Sequence, residues 1–118
     1  MRKELLSPEA FEEAVGEEIS ISSEFALPMC ALVLSLSDPE PELIRSLLDD
    51  LRFADLASLA APGELALVLP NTSCETARAV AGRLLSIAPP DSTLRAAGYE
   101  TGDTPGALLD RARRGEPF

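Results

Sequence analysis

Arg52 and Asp55 are the side chains whose types and spacing best suit binding chemistry in this sequence. A guanidinium can donate to a phosphate or another anion, and a carboxylate can accept from N–H groups. Other chemistry has little to use. The chain contains no histidine, which excludes His-based triads and most zinc sites. Its only lysine, Lys3, is expected to lie in an N-terminal tail.

The composition indicates one globular domain that fills residues 1–118. Apolar residues make up 46% of the chain and charged residues 25%, and this length supports one hydrophobic core. The net charge of −10 repels polyphosphate backbones, so nucleic-acid binding is not expected. We expect no secretory signal and no membrane insertion, which makes the cytoplasm the predicted location.

The two cysteines, Cys30 and Cys74, lie far apart in the sequence and in no metal-binding spacing. We therefore expect both to be reduced packing residues, and we predict neither a metal nor another cofactor.

Apolar periodicity and turn residues predict eight elements in the order α–β–α–β–β–α–β–α. The helices are expected at about 8–22, after a cap at Asp38-Pro39, after a capping box of Thr72 and Glu75, and after a cap at Thr104-Pro105. The strands are expected at 29–36, 56–60, 64–69 and 93–99, the last at a sheet edge. The inner βαββαβ order is typical of the ferredoxin-like unit, with an antiparallel sheet and helices on one face. The predicted fold class is therefore α+β.

The stretch from Arg52 to Thr72 resembles the GGDEF family, the domains of diguanylate cyclases. In that family Arg-x-x-Asp is followed, after five residues, by Gly-Gly-Asp/Glu-Glu-Phe and an apolar strand that ends in Leu-Pro. The register here needs no gap, and the remnant of the signature is Ala61, Pro62, Gly63, Glu64 and Leu65. Weaker similarity covers nearly the whole chain. The resemblance implies a nucleotide cyclase-like antiparallel sheet with flanking helices, reduced in size.

The resemblance also implies that the catalytic machinery is lost. In family members one Mg²⁺-binding acid lies at the end of the first strand, within an Asp-x-Asp motif, and this chain has Ser35 and Ser37 in place of both acids. The second metal acid is the third residue of the signature, which is Gly63 here. Glu64 remains and Asp38 follows the motif, so one weak Mg²⁺ site between them is a minor alternative. Otherwise Glu64 is a solvated turn residue and Asp38 a helix N-cap.

The phosphate-binding turn is altered as well. Two glycines of the family that admit phosphate are replaced by Ala61 and Pro62, and proline lacks an N–H donor. The predicted function is a catalytically inactive regulatory domain of bacterial signalling, which acts through a protein partner or as a homodimer. Arg111, Arg113 and Arg114 either serve such a partner or stabilise a helix terminus.

The alternative function is a cyclic di-GMP receptor, because Arg52-x-x-Asp55 matches the inhibitory motif with which family members bind that nucleotide. A second arginine would have to close the site, and Arg45 and Arg78 are candidates. The competing interpretation is structural: Arg52 complements a helix C-terminus and Asp55 pairs with it.

Overall fold

The protein folds into four helices and four strands over residues 3–118, which a computed structural model describes. In chain order the elements are α1 (Pro8–Phe25), β1 (Met29–Ser35), α2 (Pro41–Leu48), β2 (Leu56–Ala61), β3 (Glu64–Pro70), α3 (Cys74–Ile87), β4 (Thr93–Gly98) and α4 (Pro105–Arg113). The predicted order and the type of each element are confirmed.

The strands form one antiparallel sheet in the order β2-β3-β1-β4. β1 lies in the centre, paired with β3 on one side and with β4 on the other. β2 and β3 are joined by a hairpin whose pairing shifts register between Leu59 and Ala61. This is the predicted ferredoxin-like arrangement, with β4 at an edge of the sheet.

Helices cover both faces of the sheet. Because side chains alternate along a strand, Leu32 and Leu34 of β1 pack towards α2 and α3, whereas Ala31 and Val33 pack towards α1 and α4. Each of these four residues is buried. A strand covered on both sides carries a continuous apolar run, which is the pattern that predicted it.

α2 begins later than predicted. Its N-cap is Glu40, in an extended conformation, and its first residue is Pro41; the cap at Asp38-Pro39 was wrong. Proline disfavours helical geometry in the residue before it but suits the first helical position, so Pro41 sets the boundary. Asp38 is therefore not the N-cap of this helix.

α3 begins at Cys74, one residue later than a helix capped by Thr72 would begin. Ser73 is the N-cap, and its Oγ accepts from the Thr76 nitrogen at 3.1 Å. Thr72 is buried and its hydroxyl donates to the Pro70 carbonyl at 2.9 Å, so it is not free to cap the helix. The predicted box of Thr72 with Glu75 was wrong.

The other two helices start at the predicted caps. The Ser7 hydroxyl accepts from the Ala10 nitrogen at 3.1 Å, and the Thr104 hydroxyl accepts from the Ala107 nitrogen at 3.1 Å. α1 extends beyond the predicted end and stops at Ala26, whose φ of 53° is left-handed. No helix within residues 3–118 is both long and apolar enough to cross a membrane.

Candidate functional site

Arg52 and Asp55 contact each other in the turn between α2 and β2. The Asp55 nitrogen donates to the Arg52 carbonyl at 3.1 Å. Both oxygens of the carboxylate accept from Arg52: Oδ2 from the main-chain nitrogen at 2.8 Å and Oδ1 from Nη2 at 3.2 Å. The Asp55 side chain is only 2% exposed, whereas that of Arg52 is 60% exposed. The aspartate therefore stabilises the turn and the guanidinium faces solvent.

The Arg52 guanidinium also ties this turn to the end of β3. Its Nη2 donates to the Thr72 hydroxyl at 2.6 Å and to the Pro70 carbonyl at 3.3 Å. Since α2 ends at Leu48, Arg52 does not cap that helix, and this part of the structural interpretation was wrong. Pairing with Asp55 is the part that the geometry bears out.

Lys3 is not in a loose tail. Its amine donates to the carbonyl oxygens of Phe53 and Asp55, the latter at 2.6 Å, and its nitrogen lies 5.7 Å from the centroid of the Phe53 ring. Phe53 is 83% exposed. An open cavity of about 480 Å³ lies beside the turn and is lined by Lys3, Phe53, Asp55, Leu51 and Leu56 among others. No pattern in the sequence predicted this arrangement.

The remnant of the signature forms the turn of the β2–β3 hairpin. Pro62 and Gly63 suit the two central positions of a type II turn. The second of these positions needs a positive φ, and Gly63 has a φ of 74°. The Gly63 carbonyl accepts from the Leu36 nitrogen at 2.7 Å. A Cβ added to Gly63 would lie 2.5 Å from the Leu36 carbonyl oxygen, so the end of β1 and this turn are in direct main-chain contact.

Glu64 is held by the last helix. Its Oε1 accepts from Nε of Arg113 at 2.8 Å, and Arg113 also donates to Asp110 at 2.8 Å. Asp38 is exposed, and its main-chain oxygen accepts from the Glu40 nitrogen. Over residues 3–118, no group of three or more His, Cys, Asp or Glu side chains is arranged to hold a metal ion.

The arginines of α4 are largely paired with acids. Nη1 and Nη2 of Arg111 donate to the two oxygens of Asp103 at 2.9 and 2.7 Å, and its Nε lies 3.3 Å from Glu100. The Arg111 hydrogen bonds lower the pKa of Asp103, with help from the Glu100 main-chain nitrogen and against the effect of burial. Arg114 is exposed.

Neither candidate for a second binding arginine lies in the Arg52 turn. Arg45 is exposed in the last turn of α2. Arg78 is on α3, where its guanidinium lies 5.3 Å from the centroid of the Phe118 ring. In the part of the chain that the structure describes, neither hydrogen-bonds to Arg52 or Asp55.

Comparison with solved structures identifies the architecture. The GGDEF domain of YfiN (TpbB) from Pseudomonas aeruginosa superposes with a TM-score of 0.82 at 19% identity, over 93% of this chain and 86% of that one. The GGDEF domain of DgcB from Caulobacter crescentus, solved in complex with c-di-GMP, gives 0.77 at 12% identity, over 97% and 89%. This chain has the GGDEF-domain fold. The resemblance seen in the sequence is thus confirmed for the fold.

Other proteins that share the GGDEF fold were solved with different partners. The diguanylate cyclase SiaD from Pseudomonas aeruginosa, in complex with its activator SiaC, gives a TM-score of 0.82 at 16% identity, over 97% of this chain and 55% of SiaD. A microbial GGDEF domain with a distinct mode of binding cyclic di-GMP gives 0.74 at 18% identity, over 94% and 84%. No family model matches the sequence, and no curated protein is significantly similar to it.

Proposed function

We propose that this chain is a catalytically inactive GGDEF-like domain that regulates a bacterial signalling process through protein contacts. The observation that carries the proposal is the chemistry at the two positions from which family members hold Mg²⁺. Ser35, the last residue of β1, and Ser37 just after it replace both acids of the motif, and Gly63 replaces the acid of the hairpin turn. Mg²⁺ prefers charged oxygen ligands, and these residues supply none.

The main-chain contact at Gly63 supports the same conclusion. A side chain at this position would begin 2.5 Å from the Leu36 carbonyl oxygen, so even a carboxylate restored there would have to displace the end of β1. The residues present therefore do not fit the metal, and loss of activity does not depend on one substitution alone.

Glu64, the acid that remains, is engaged elsewhere. Its Oε1 lies 2.8 Å from Nε of Arg113, and both side chains of this ion pair are partly buried. Recruiting this carboxylate to a metal would leave Arg113 with only Asp110 as a partner. A residual cyclase built on Glu64 and Asp38 is therefore disfavoured.

The test of inactivity is incubation with GTP and Mg²⁺ or Mn²⁺, followed by chromatographic detection of cyclic di-GMP. We expect no product from the wild type, from Glu64→Gln or from the control Glu42→Gln, which alters an exposed acid on α2. Metal-dependent product that disappears in Glu64→Gln and persists in Glu42→Gln would contradict the proposal.

Exposed apolar side chains offer contact area for a protein partner or a second copy. Ile21 and Phe25 are 44% and 63% exposed and lie one helical turn apart near the end of α1. We expect sedimentation to show concentration-dependent self-association that Phe25→Ser weakens and cyclic di-GMP does not alter. Only monomers at every concentration would contradict homodimer formation.

A second candidate function is a cyclic di-GMP receptor. It is favoured by the exposed guanidinium of Arg52 and by the neighbouring cavity, where the exposed Phe53 ring offers a surface on which a base could stack. Binding through Asp55 would first require its carboxylate to leave Arg52.

Thermal unfolding with cyclic di-GMP, with GTP and with buffer alone tests this candidate. A ligand at 100 times its dissociation constant adds about 2.7 kcal/mol of stability. A receptor predicts a shift with cyclic di-GMP that is lost in Arg52→Ala and kept in Arg114→Ala, a change of an exposed arginine after α4. The same midpoint with and without the nucleotide would contradict it.

A further inference from the structure

Cys30 and Cys74, distant in the sequence, are neighbours in the fold. Cys30 belongs to the core between the sheet and the layer of α2 and α3, and Cys74 packs against that core. The strand register explains why: Cys30 of β1 lies directly opposite Gly98 of β4, and a Cβ added to Gly98 would be 3.6 Å from Sγ of Cys74. Sγ of Cys74 therefore lies beside the residue that pairs with Cys30 across the strands.

The two cysteines differ in access to solvent. Cys30 is fully buried in the core between the sheet and the layer of α2 and α3. Cys74 is the first residue of α3 and is only half-buried. An oxidant in the solvent can therefore reach Cys74, whereas Cys30 is not accessible to it.

The surroundings of Cys74 favour its thiolate. The hydrogen bond from Cys30 and then the charge of Arg111 lower its pKa to about 7, against the effect of burial. Arg111 is fixed next to this sulfur because its Nη2 donates to the Gly98 carbonyl at 2.6 Å. Asp103 and Glu100 share that guanidinium and hold it in place. The same thiol–thiol hydrogen bond, together with burial, raises the pKa of Cys30.

We propose that Cys74 is a peroxide-reactive thiol and that Cys30 resolves it, which gives this domain an intramolecular thiol–disulfide modification site. In the first step the Cys74 thiolate attacks one oxygen of hydrogen peroxide. The O–O bond breaks, Cys74 becomes a sulfenic acid, and the released hydroxide takes up a proton to form water. In the second step the Cys30 sulfur attacks the Cys74 sulfur. The S–S bond forms, the S–O bond breaks, and the leaving hydroxide and the Cys30 proton form a second water.

The disulfide would fasten the start of β1 to the start of α3. The loop that it closes contains α2 and the β2–β3 hairpin, and with them both the Arg52 turn and the remnant of the signature. Because closing a long loop restricts the unfolded chain, the oxidised protein should unfold several degrees higher than the reduced protein. The site is independent of nucleotide binding and of the proposed regulatory contacts.

The experiment treats the reduced wild-type protein with hydrogen peroxide at neutral pH, then alkylates free thiols and measures the intact mass. We expect a monomer that has lost two hydrogen atoms and carries no alkyl group, a Cys30–Cys74 peptide after digestion, and full recovery with dithiothreitol. In Cys30→Ser, dimedone should trap a sulfenic acid on Cys74. In Cys74→Ser, Cys30 should stay reduced.

A kinetic control tests the role of Arg111. The positive charge of Arg111 is one of the causes that lower the pKa of Cys74, so its removal should reduce the thiolate fraction at neutral pH. Arg111→Gln should slow oxidation several-fold and move its pH midpoint upward, whereas Arg83→Gln, in the later half of α3, should leave both unchanged. Two free thiols in the treated wild type would overturn the proposal, as would disulfide-linked dimers or prior oxidation of Cys30. These three outcomes are read from the wild type, so they do not depend on how a variant folds.

Discussion

Replacing Gly63 with alanine should destabilise the fold far more than the same replacement at Gly102. Both glycines have a positive φ, 74° and 92°, so alanine is strained at either position. They differ in their surroundings. A Cβ on Gly63 would lie 2.5 Å from the Leu36 carbonyl oxygen, whereas a Cβ on Gly102 would have no atom within 4 Å. Gly102→Ala is therefore the matched control for the conformational cost alone.

The magnitudes follow from these two environments. Alanine in a left-handed conformation costs about 1–2 kcal/mol, and this applies at both positions. At Gly63 the main chain must also move away from Leu36. This movement would weaken or break the 2.7 Å hydrogen bond from the Leu36 nitrogen to the Gly63 carbonyl. Losing that bond adds about 0.5–1.5 kcal/mol. The expected losses are about 1.5–3.5 kcal/mol for Gly63→Ala and about 1–2 kcal/mol for Gly102→Ala.

Urea and thermal unfolding followed by circular dichroism measure both losses. For a domain of this size the midpoint should fall by on the order of 10 °C in Gly63→Ala and by about half as much in Gly102→Ala. Equal losses in the two variants would refute the reasoning, because they would show that the contact between the hairpin turn and the end of β1 contributes nothing.

Three further changes have defined outcomes. Gly82→Ala should raise the free energy of unfolding by about 0.5–1 kcal/mol, since Gly82 lies within α3 with open space around it; a loss in urea unfolding would contradict this. Leu67→Ala should cost about 2–5 kcal/mol in the same assay because Leu67 is fully buried; a loss below this range would show that the core closes over the cavity. Asp103→Asn should destabilise the protein at pH 7. Since the folded pKa of Asp103 is lowered, its contribution is present above about pH 4, the unfolded value, and disappears as the pH falls through the folded pKa. A deficit that is constant from pH 7 to pH 2 would contradict that assignment.

The sequence predicted the elements well where local signals agree with the tertiary structure. Ser7-Pro8 and Thr104-Pro105 mark helix starts that the fold keeps, and Pro62-Gly63 marks the hairpin turn. Prediction failed where two neighbouring residues could serve the same role. Pro41 rather than Pro39 starts α2, because proline disfavours a helical conformation in the residue before it. Ser73 rather than Thr72 caps α3, because the Thr72 hydroxyl is bonded to Arg52 and Pro70.

The candidate site was only partly predictable for a related reason. Arg52 and Asp55 lie three residues apart, so their contact could be inferred from the local sequence. The pairing of Glu64 with Arg113 and of Cys30 with Cys74 joins distant parts of the chain. These contacts depend on strand register and helix packing, which cannot be read from the local sequence. The position of Gly98 opposite Cys30 and beside Cys74 indicates that the two cysteines are close, but this position is visible only in the folded structure.

The amine that fixes the Arg52 turn belongs to the only lysine of the chain. Apart from the terminal amine, an amine-reactive reagent therefore has a single side chain to modify. The amine of that side chain donates hydrogen bonds to the carbonyl oxygens of Phe53 and Asp55. The rate at which Lys3 is acylated consequently reports how often this turn opens. A ligand or partner that closes over the turn would slow that labelling, and it would be detected without a fluorescent tag, an engineered cysteine or any knowledge of what the ligand is.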